Sequence, residues 1–83
     1  MEDSRIIAAH GHSTRHRNEI EASDSCGCFY CLAIFVPTEI VSWLNEGDGT
    51  ALCPRCAIDS VIGSASGYPI EPELLRRMKS HWF

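Results

Sequence analysis

The chain has 83 residues, a net charge of −4 and five cysteines. This length allows one domain at most with a modest core, so we expect a metal ion or disulfides to supplement packing. The run of apolar residues 6–9 is too short for a signal-peptide core or a membrane span, which predicts neither a leader nor a transmembrane helix.

The charge is unevenly distributed along the chain. Residues 18–75 carry nine acidic side chains against Arg55 alone, whereas residues 76–83 carry three basic side chains. A negatively charged body is a poor electrostatic match for a phosphate backbone. General nucleic-acid binding is therefore disfavoured.

The N-terminal third shows little hydrophobic periodicity. Residues 1–12 have no helical periodicity, which predicts a flexible tail ahead of a single domain over residues 13–83. Residues 13–22 predict a short helix with Ser13 as its N-cap. His16 on this helix is an outside candidate for metal ligation, ranked below every cysteine.

The first cysteine group is Cys26-Gly-Cys28-Phe-Tyr-Cys31. A gap of two residues lets the backbone curl into a knuckle that directs two sulfur atoms toward one ion. Cys28 and Cys31 have this spacing. Gly27 is expected to supply a backbone angle that other residues resist.

Short elements are predicted between the two cysteine groups. Residues 32–36 form an apolar run that predicts a buried strand, ended by Pro37. Residues 38–44 predict one or two helical turns, on which Trp43 packs inward. A turn at residues 45–49 leads to a strand over residues 50–52, which is expected to pair with the strand at 32–36.

The second cysteine group is Cys53-Pro-Arg-Cys56, where proline helps to shape the turn. Residues 57–62 predict a short helix stopped by Gly63. Two Cys-x2-Cys pairs supply the four thiolates of a closed tetrahedral Zn²⁺ site. The sequence therefore predicts a structural zinc ion held by Cys28, Cys31, Cys53 and Cys56, within a zinc-binding domain of residues 13–83.

Cys26 is then a spare thiol. The competing assignment pairs Cys26 with Cys28 or Cys31 at a less suitable spacing, and Cys26 stays an alternative ligand in place of Cys28. A disulfide-bonded chain is the other reading of five cysteines. The odd count and the repeated Cys-x2-Cys spacing favour metal.

The C-terminal residues predict a loop and a helix. Residues 64–69 have turn chemistry, and Pro72 at a first helical position begins an amphipathic helix over residues 72–82. Leu74, Leu75, Met78 and Trp82 make its apolar stripe. The aromatic pair at residues 82–83 is expected to dock against the body, or else to leave an apolar surface open to partners.

The two knuckles, with a predicted helix directly after the second, resemble the treble-clef or zinc-ribbon group of four-cysteine zinc fingers. The strings Cys-Gly-Cys-Phe-Tyr-Cys and Thr-Ala-Leu-Cys-Pro-Arg-Cys-Ala-Ile-Asp-Ser-Val-Ile-Gly-Ser-Ala-Ser-Gly-Tyr-Pro-Ile also resemble a family of short bacterial cytoplasmic proteins, from about the first helix to the C-terminus. The resemblance implies a bacterial, cytoplasmic zinc-binding protein without naming a substrate.

The predicted fold is a small α+β zinc-stabilised domain with two knuckles, a short β-hairpin and three to four short helices. The predicted function is non-enzymatic and acts through contacts with a protein partner. The alternative is a zinc-ribbon nucleic-acid-binding protein. A nuclease-like or other hydrolase is less favoured, because Asp59 is followed by Ser60 where a nuclease motif needs histidine.

Overall fold

A computed structural model describes residues 2–45 and 49–83, with all of their side chains except those of Glu2, Asp3 and Arg5. The α-helices are α1 (Glu2–His10), α2 (Arg17–Glu21) and α3 (Pro72–Trp82). The strands are β1 (Cys26–Cys28), β2 (Ile34–Phe35), β3 (Trp43–Leu44), β4 (Thr50–Ala51) and β5 (Val61–Gly63). The fold is a small α+β arrangement, as the sequence predicts.

The strands form two antiparallel sheets. The larger has the order β2-β1-β5, in which Gly27 of β1 lies opposite Ile34 and Ile62. The smaller pairs β3 with β4, and Trp43 lies opposite Ala51. The predicted pairing of residues 32–36 with residues 50–52 is therefore wrong, because each of these segments has a different neighbour.

Strand β1 separates two apolar cores. Cys26 and Cys28 lie on one face, in a core with Ile20, Phe35, Ile40, Ala51, Cys53 and Val61. The other core joins α1 and α3 and contains Ile6, Ala9, Phe29, Ile62, Leu74, Leu75 and Met78. This division follows the two-residue period of a strand, since neighbouring side chains point to opposite faces.

Gly27 is required by close packing. A Cβ atom at Gly27 would lie 2.8 Å from Leu75 Cδ1 and 3.1 Å from Ile70 Cγ2. Gly27 has no left-handed backbone angle, whereas Gly49 and Gly67 do. The expectation of an unusual angle at Gly27 is therefore wrong, and the glycine instead lets α3 approach the sheet.

Residues 2–10 form a helix where the sequence predicts a flexible tail. Ile6 and Ala9 are buried, three positions apart on α1, and the helix packs against α3. Two buried positions are too sparse to show as periodicity in the sequence, so the tail prediction misses α1.

The helix predicted over residues 13–22 is shorter in the structure. A 3₁₀ turn covers Gly11–Ser13, the Ser13 hydroxyl donates to the His10 carbonyl at 2.7 Å, and Arg15 has a φ of 49°. Ser13 therefore satisfies the end of α1 rather than serving as an N-cap. The left-handed angle at Arg15 separates this turn from α2.

Two predicted helices in the middle of the chain are absent. Residues 38–44 give a 3₁₀ turn (Pro37–Glu39) and then β3, because Trp43 and Leu44 pair with β4. Residues 57–62 begin with a φ of 66° at Ala57 and end in β5, where Val61 and Ile62 join the sheet. The helix that suggested a treble clef therefore does not follow the second knuckle.

The C-terminal helix is confirmed as α3. Leu74, Leu75 and Met78 are buried on it. The turn predicted at residues 45–49 lies partly outside the described residues. None of the helices in the described part of the chain reaches the length and hydrophobicity that a membrane span requires.

Candidate metal centre

The first knuckle is closed by backbone hydrogen bonds around Cys28. The Leu32 amide donates to the Cys28 carbonyl at 2.8 Å, and the Cys28 amide donates to the Ala33 carbonyl at 3.0 Å. Leu32 has a φ of 68°. This left-handed residue reverses the chain directly after Cys31, so the sulfurs of Cys28 and Cys31 face the same point.

The second knuckle repeats this arrangement. The Ala57 amide donates to the Cys53 carbonyl at 2.9 Å, and the Cys53 amide donates to the Ile58 carbonyl at 3.0 Å. Ala57 has a φ of 66°. The two knuckles are therefore conformational copies that end in a left-handed residue, although neither has glycine there.

The knuckles bring together the four cysteines that the sequence singles out. The Sγ atoms of Cys28, Cys31, Cys53 and Cys56 all lie within 4.8 Å of one another. The Sγ atoms of Cys28 and Cys56 are 3.6 Å apart, and so are the Sγ atoms of Cys31 and Cys53. A disulfide needs about 2.05 Å, so these are free thiols placed around a common centre.

The spacing fits a tetrahedral zinc ion. Four sulfurs at about 2.3 Å from Zn²⁺ stand about 3.8 Å apart, close to the 3.6 Å of the two shortest pairs. Soft thiolate sulfur is a donor that Zn²⁺ prefers. The cluster can therefore hold a metal ion, and its geometry and donors suit zinc.

Polar groups around the cluster support the thiolate form of Cys28. The Ser60 hydroxyl lies 3.1 Å from Cys28 Sγ, and the amides of Tyr30 and Cys31 donate to the same sulfur at 3.4 and 3.5 Å. Burial raises the pKa of Cys28, but these hydrogen bonds outweigh it and hold the pKa below its usual value.

The second knuckle has a weaker set of donors. The Arg55 amide donates to Cys53 Sγ at 3.3 Å. Desolvation nevertheless raises the pKa of Cys53, and it raises the pKa of Cys56 to about 12. These two thiols therefore keep their protons at neutral pH until a cation displaces them.

Cys26 lies apart from the cluster. It is fully buried on β1, on the same face as Cys28, and is not among the four converging sulfurs. Burial raises the pKa of Cys26 to about 11. A neutral thiol in an apolar core fits the predicted role of a spare cysteine.

His16 has a structural role instead of a place in the cluster. Its ring is buried, Nδ1 donates to the His12 carbonyl at 2.6 Å, and Nε2 accepts from the Ala51 amide at 3.0 Å. This one tautomer satisfies both contacts. The residue predicted as an outside metal ligand therefore ties the N-terminal segment to β4.

Ser60 is the site residue that sequence reasoning misses. In the sequence, Ser60 is notable only because it stands where a nuclease motif would need histidine. Nothing in the residue spacing links Ser60 to Cys28. The connection depends on β5, because the Phe29 amide donates to the Ser60 carbonyl at 3.0 Å and so sets Ser60 beside the first knuckle.

Comparisons with protein-family models, curated proteins and solved structures found no match. The site is therefore defined by its own geometry. The resemblance to short bacterial cytoplasmic proteins stays a prediction.

Proposed function

We propose that the chain is a zinc-binding module in which Zn²⁺ has a structural role. The observation that carries this proposal is the convergence of four cysteine sulfurs within 4.8 Å from two matching knuckles. Four protein ligands complete a tetrahedron and leave no position for water or substrate. Zinc bound here stabilises the fold, with an apparent contribution on the order of 10–16 kcal/mol in comparable small sites.

The decisive test is metal stoichiometry on reduced, untagged protein. We expect one zinc per chain by elemental analysis and thiols that resist alkylation in the native protein, four because they hold the zinc and Cys26 because it is buried. Chelation exposes all five thiols and unfolds the chain, as followed by circular dichroism. Protein without metal and with few free thiols would point to disulfides and would refute the zinc site.

A pair of variants tests the ligand assignment. Cys53→Ser removes one of the converging sulfurs, so it should unfold the chain or greatly weaken metal binding. Cys26→Ser is the matched control, because Cys26 lies outside the cluster, and it should keep both fold and zinc. Loss of zinc from Cys26→Ser would instead assign Cys26 as a ligand.

We further propose that the module acts by binding another protein through an aromatic surface beside the first knuckle. Tyr30, Trp82 and Phe83 are 41%, 39% and 61% exposed. Tyr30 contacts Phe83 at 4.9 Å between ring centroids, and Trp82 packs on His10 at 4.0 Å. Exposed aromatic side chains held in place by neighbours are typical of residues that dominate protein interfaces.

Basic groups border this aromatic surface. Lys79 Nζ lies 5.4 Å from the centre of the Tyr30 ring, and Arg76 is exposed on the same helix. These charges complement a partner segment that carries acidic residues around an apolar side chain. The aromatic surface is thus bordered by positive charge, whereas the middle of the chain carries negative charge.

A comparative affinity capture tests the surface. A partner retained by the zinc-loaded wild type should be lost with the double variant Trp82→Ala/Phe83→Ala. Val41→Ala is the control, since Val41 is 83% exposed and lies outside the aromatic contacts. Equal retention by all three proteins would contradict the proposed surface.

The nucleic-acid alternative receives little support. Arg17, Arg55 and Arg77 form ion pairs with Glu21, Glu39 and Glu73 at 2.8–3.0 Å. These partners neutralise three of the basic residues that would have to contact phosphates. Absence of binding to single- or double-stranded DNA and RNA at low salt would remove this alternative.

The enzymatic alternative depends on Asp59, and the described residues around Asp59 do not support it. Asp59 lies on an exposed bend and not on a helix, and the Ser60 hydroxyl contacts Cys28 Sγ. The non-enzymatic proposal agrees with a closed metal site. A reducing compartment such as the cytoplasm suits it, because four reduced thiols are then maintained.

A further inference from the structure

We propose that Cys31 is an oxidation site at which a peroxide converts the exposed cysteine to a sulfenic acid that condenses with Cys53 into a disulfide and ejects the metal. This inference rests on the proposed zinc site and adds a chemical reaction to it. Three features of the cluster carry it: access to solvent, the distribution of hydrogen bonds and the pairing of the sulfurs.

Access to the four sulfurs is unequal. Cys31 is exposed and Cys56 is partly exposed, whereas Cys28 and Cys53 are buried. A small oxidant in water therefore meets the side chain of Cys31 first. Cys26, although a free thiol, is fully buried on β1 and is out of reach.

Hydrogen bonds make Cys31 the most electron-rich of the four sulfurs. Cys28 Sγ receives bonds from Ser60 and from the amides of Tyr30 and Cys31. Cys53 Sγ receives bonds from the amides of Arg55 and Cys56, and Cys56 Sγ receives one from the Ile58 amide. Within residues 2–45 and 49–83, the polar contact found for Cys31 Sγ is Cys53 Sγ alone. Donated hydrogen bonds withdraw electron density from a thiolate, so the sulfur with fewest of them is the better nucleophile toward peroxide.

The partner of Cys31 follows from the distances. Cys31 Sγ lies 3.6 Å from Cys53 Sγ, while Cys28 Sγ is matched with Cys56 Sγ at the same separation. A sulfenic acid at Cys31 therefore has the Cys53 thiolate close by, on the other knuckle. Closing the remaining gap to about 2.05 Å needs a side-chain movement within two adjacent knuckles.

The reaction balances with hydrogen peroxide as the oxidant. The Cys31 thiolate attacks one peroxide oxygen, the O–O bond breaks, and hydroxide leaves to give the sulfenic acid. The Cys53 thiolate then attacks the Cys31 sulfur, an S–S bond forms, and a second hydroxide leaves. Two thiolates lose two electrons in total, peroxide gains them, and the two hydroxides take protons from the buffer to give water.

Disulfide mapping tests the pairing directly. Protein shown to contain one zinc per chain is treated with hydrogen peroxide, zinc release is followed with a chromogenic chelator, and free thiols are blocked with N-ethylmaleimide. Cleavage after Glu39 and Arg55 separates Cys31, Cys53 and Cys56 into different peptides. We expect a Cys31–Cys53 link as the first product, formed in step with zinc release and reversed by dithiothreitol.

A variant of Cys31 tests whether this residue is the site of oxidation. Cys31→His replaces the exposed sulfur with another zinc ligand, so it should retain zinc and release it to peroxide at least tenfold more slowly than wild type. A Cys28–Cys56 link as the first product would overturn the assignment of Cys31. Zinc retained through peroxide treatment would overturn the oxidation site alone, whereas protein purified without zinc would overturn the proposed function itself.

Discussion

Leu32 and Ala57 occupy equivalent positions, each four residues after the first cysteine of its knuckle and each with a left-handed backbone. Their φ angles are 68° and 66°, and their amides donate to the carbonyls of Cys28 and Cys53. A residue with a Cβ atom pays about 1–2 kcal/mol for this conformation. The strain is the same in both knuckles and is offset by the closed turn.

The first prediction concerns this strain. Ala57 is exposed, so Ala57→Gly removes the backbone cost with little loss of packing and should raise the free energy of unfolding by about 1 kcal/mol. Denaturant unfolding at a fixed free zinc concentration measures the change. Ala8→Gly on α1 is the control and should lower stability by about 1 kcal/mol. Equal destabilisation by both variants would show that Ala57 is not strained.

The second prediction concerns Ser60. Its hydroxyl lies 3.1 Å from Cys28 Sγ, so Ser60→Ala should weaken zinc affinity by about tenfold or more through loss of an outer contact to a ligand. Competition with a chelator measures this affinity. Ser66→Ala is the matched control, because the Ser66 hydroxyl donates to the Gly63 carbonyl and leaves the cysteines untouched. The same loss of affinity in both variants would indicate a general effect on the fold.

The third prediction is a pH dependence of zinc binding. The raised pKa of Cys53, and that of Cys56 at about 12, mean that at least two protons leave when Zn²⁺ binds at neutral pH. Affinity should therefore fall as pH falls, by about a hundredfold for each unit below neutrality. Chelator competition at pH 6.5 and 7.5, corrected for protonation of the chelator, provides the test. An affinity that is flat across this range would mean that the thiols are already ionised.

The fourth prediction concerns His16. His16→Ala leaves the buried Ala51 amide without its acceptor and opens space between the N-terminal segment and β4, so stability should fall by about 2–3 kcal/mol. Thermal and denaturant unfolding measure the loss, and the zinc content should stay at one per chain. His81→Ala replaces an exposed histidine and should change stability by about 0.5 kcal/mol or less. A zinc affinity lowered as far as in a cysteine variant would return His16 to the metal site.

The cysteine cluster could be predicted because its signal is local. A gap of two residues constrains where two sulfurs point, and the four cysteines of the two pairs do converge. The helix over residues 72–82 was also readable, because several apolar residues repeat at helical spacing. Both features depend on neighbours in sequence.

The middle of the chain could not be read in the same way. Residues 38–44 have helical spacing of Ile40, Trp43 and Leu44, but pairing with β4 decides their conformation. The sequence of residues 57–62 predicts a short helix. In the structure Ala57 has a left-handed backbone that closes the knuckle, and Val61 and Ile62 pair with β1. Contacts distant in sequence override weak local preference in such short segments.

Phe29 links the two halves of the molecule. It lies inside the first knuckle, between Cys28 and Cys31, yet its ring is buried in the core formed by α1 and α3 and lies 5.9 Å from the ring of Phe83. A partner that binds Phe83 in this position favours the folded arrangement in which Phe29 and the first knuckle are packed. If zinc and the proposed partner both favour this folded arrangement, thermodynamic reciprocity makes each strengthen the binding of the other by the same factor. The affinity of the partner then depends on whether the four thiolates hold their ion.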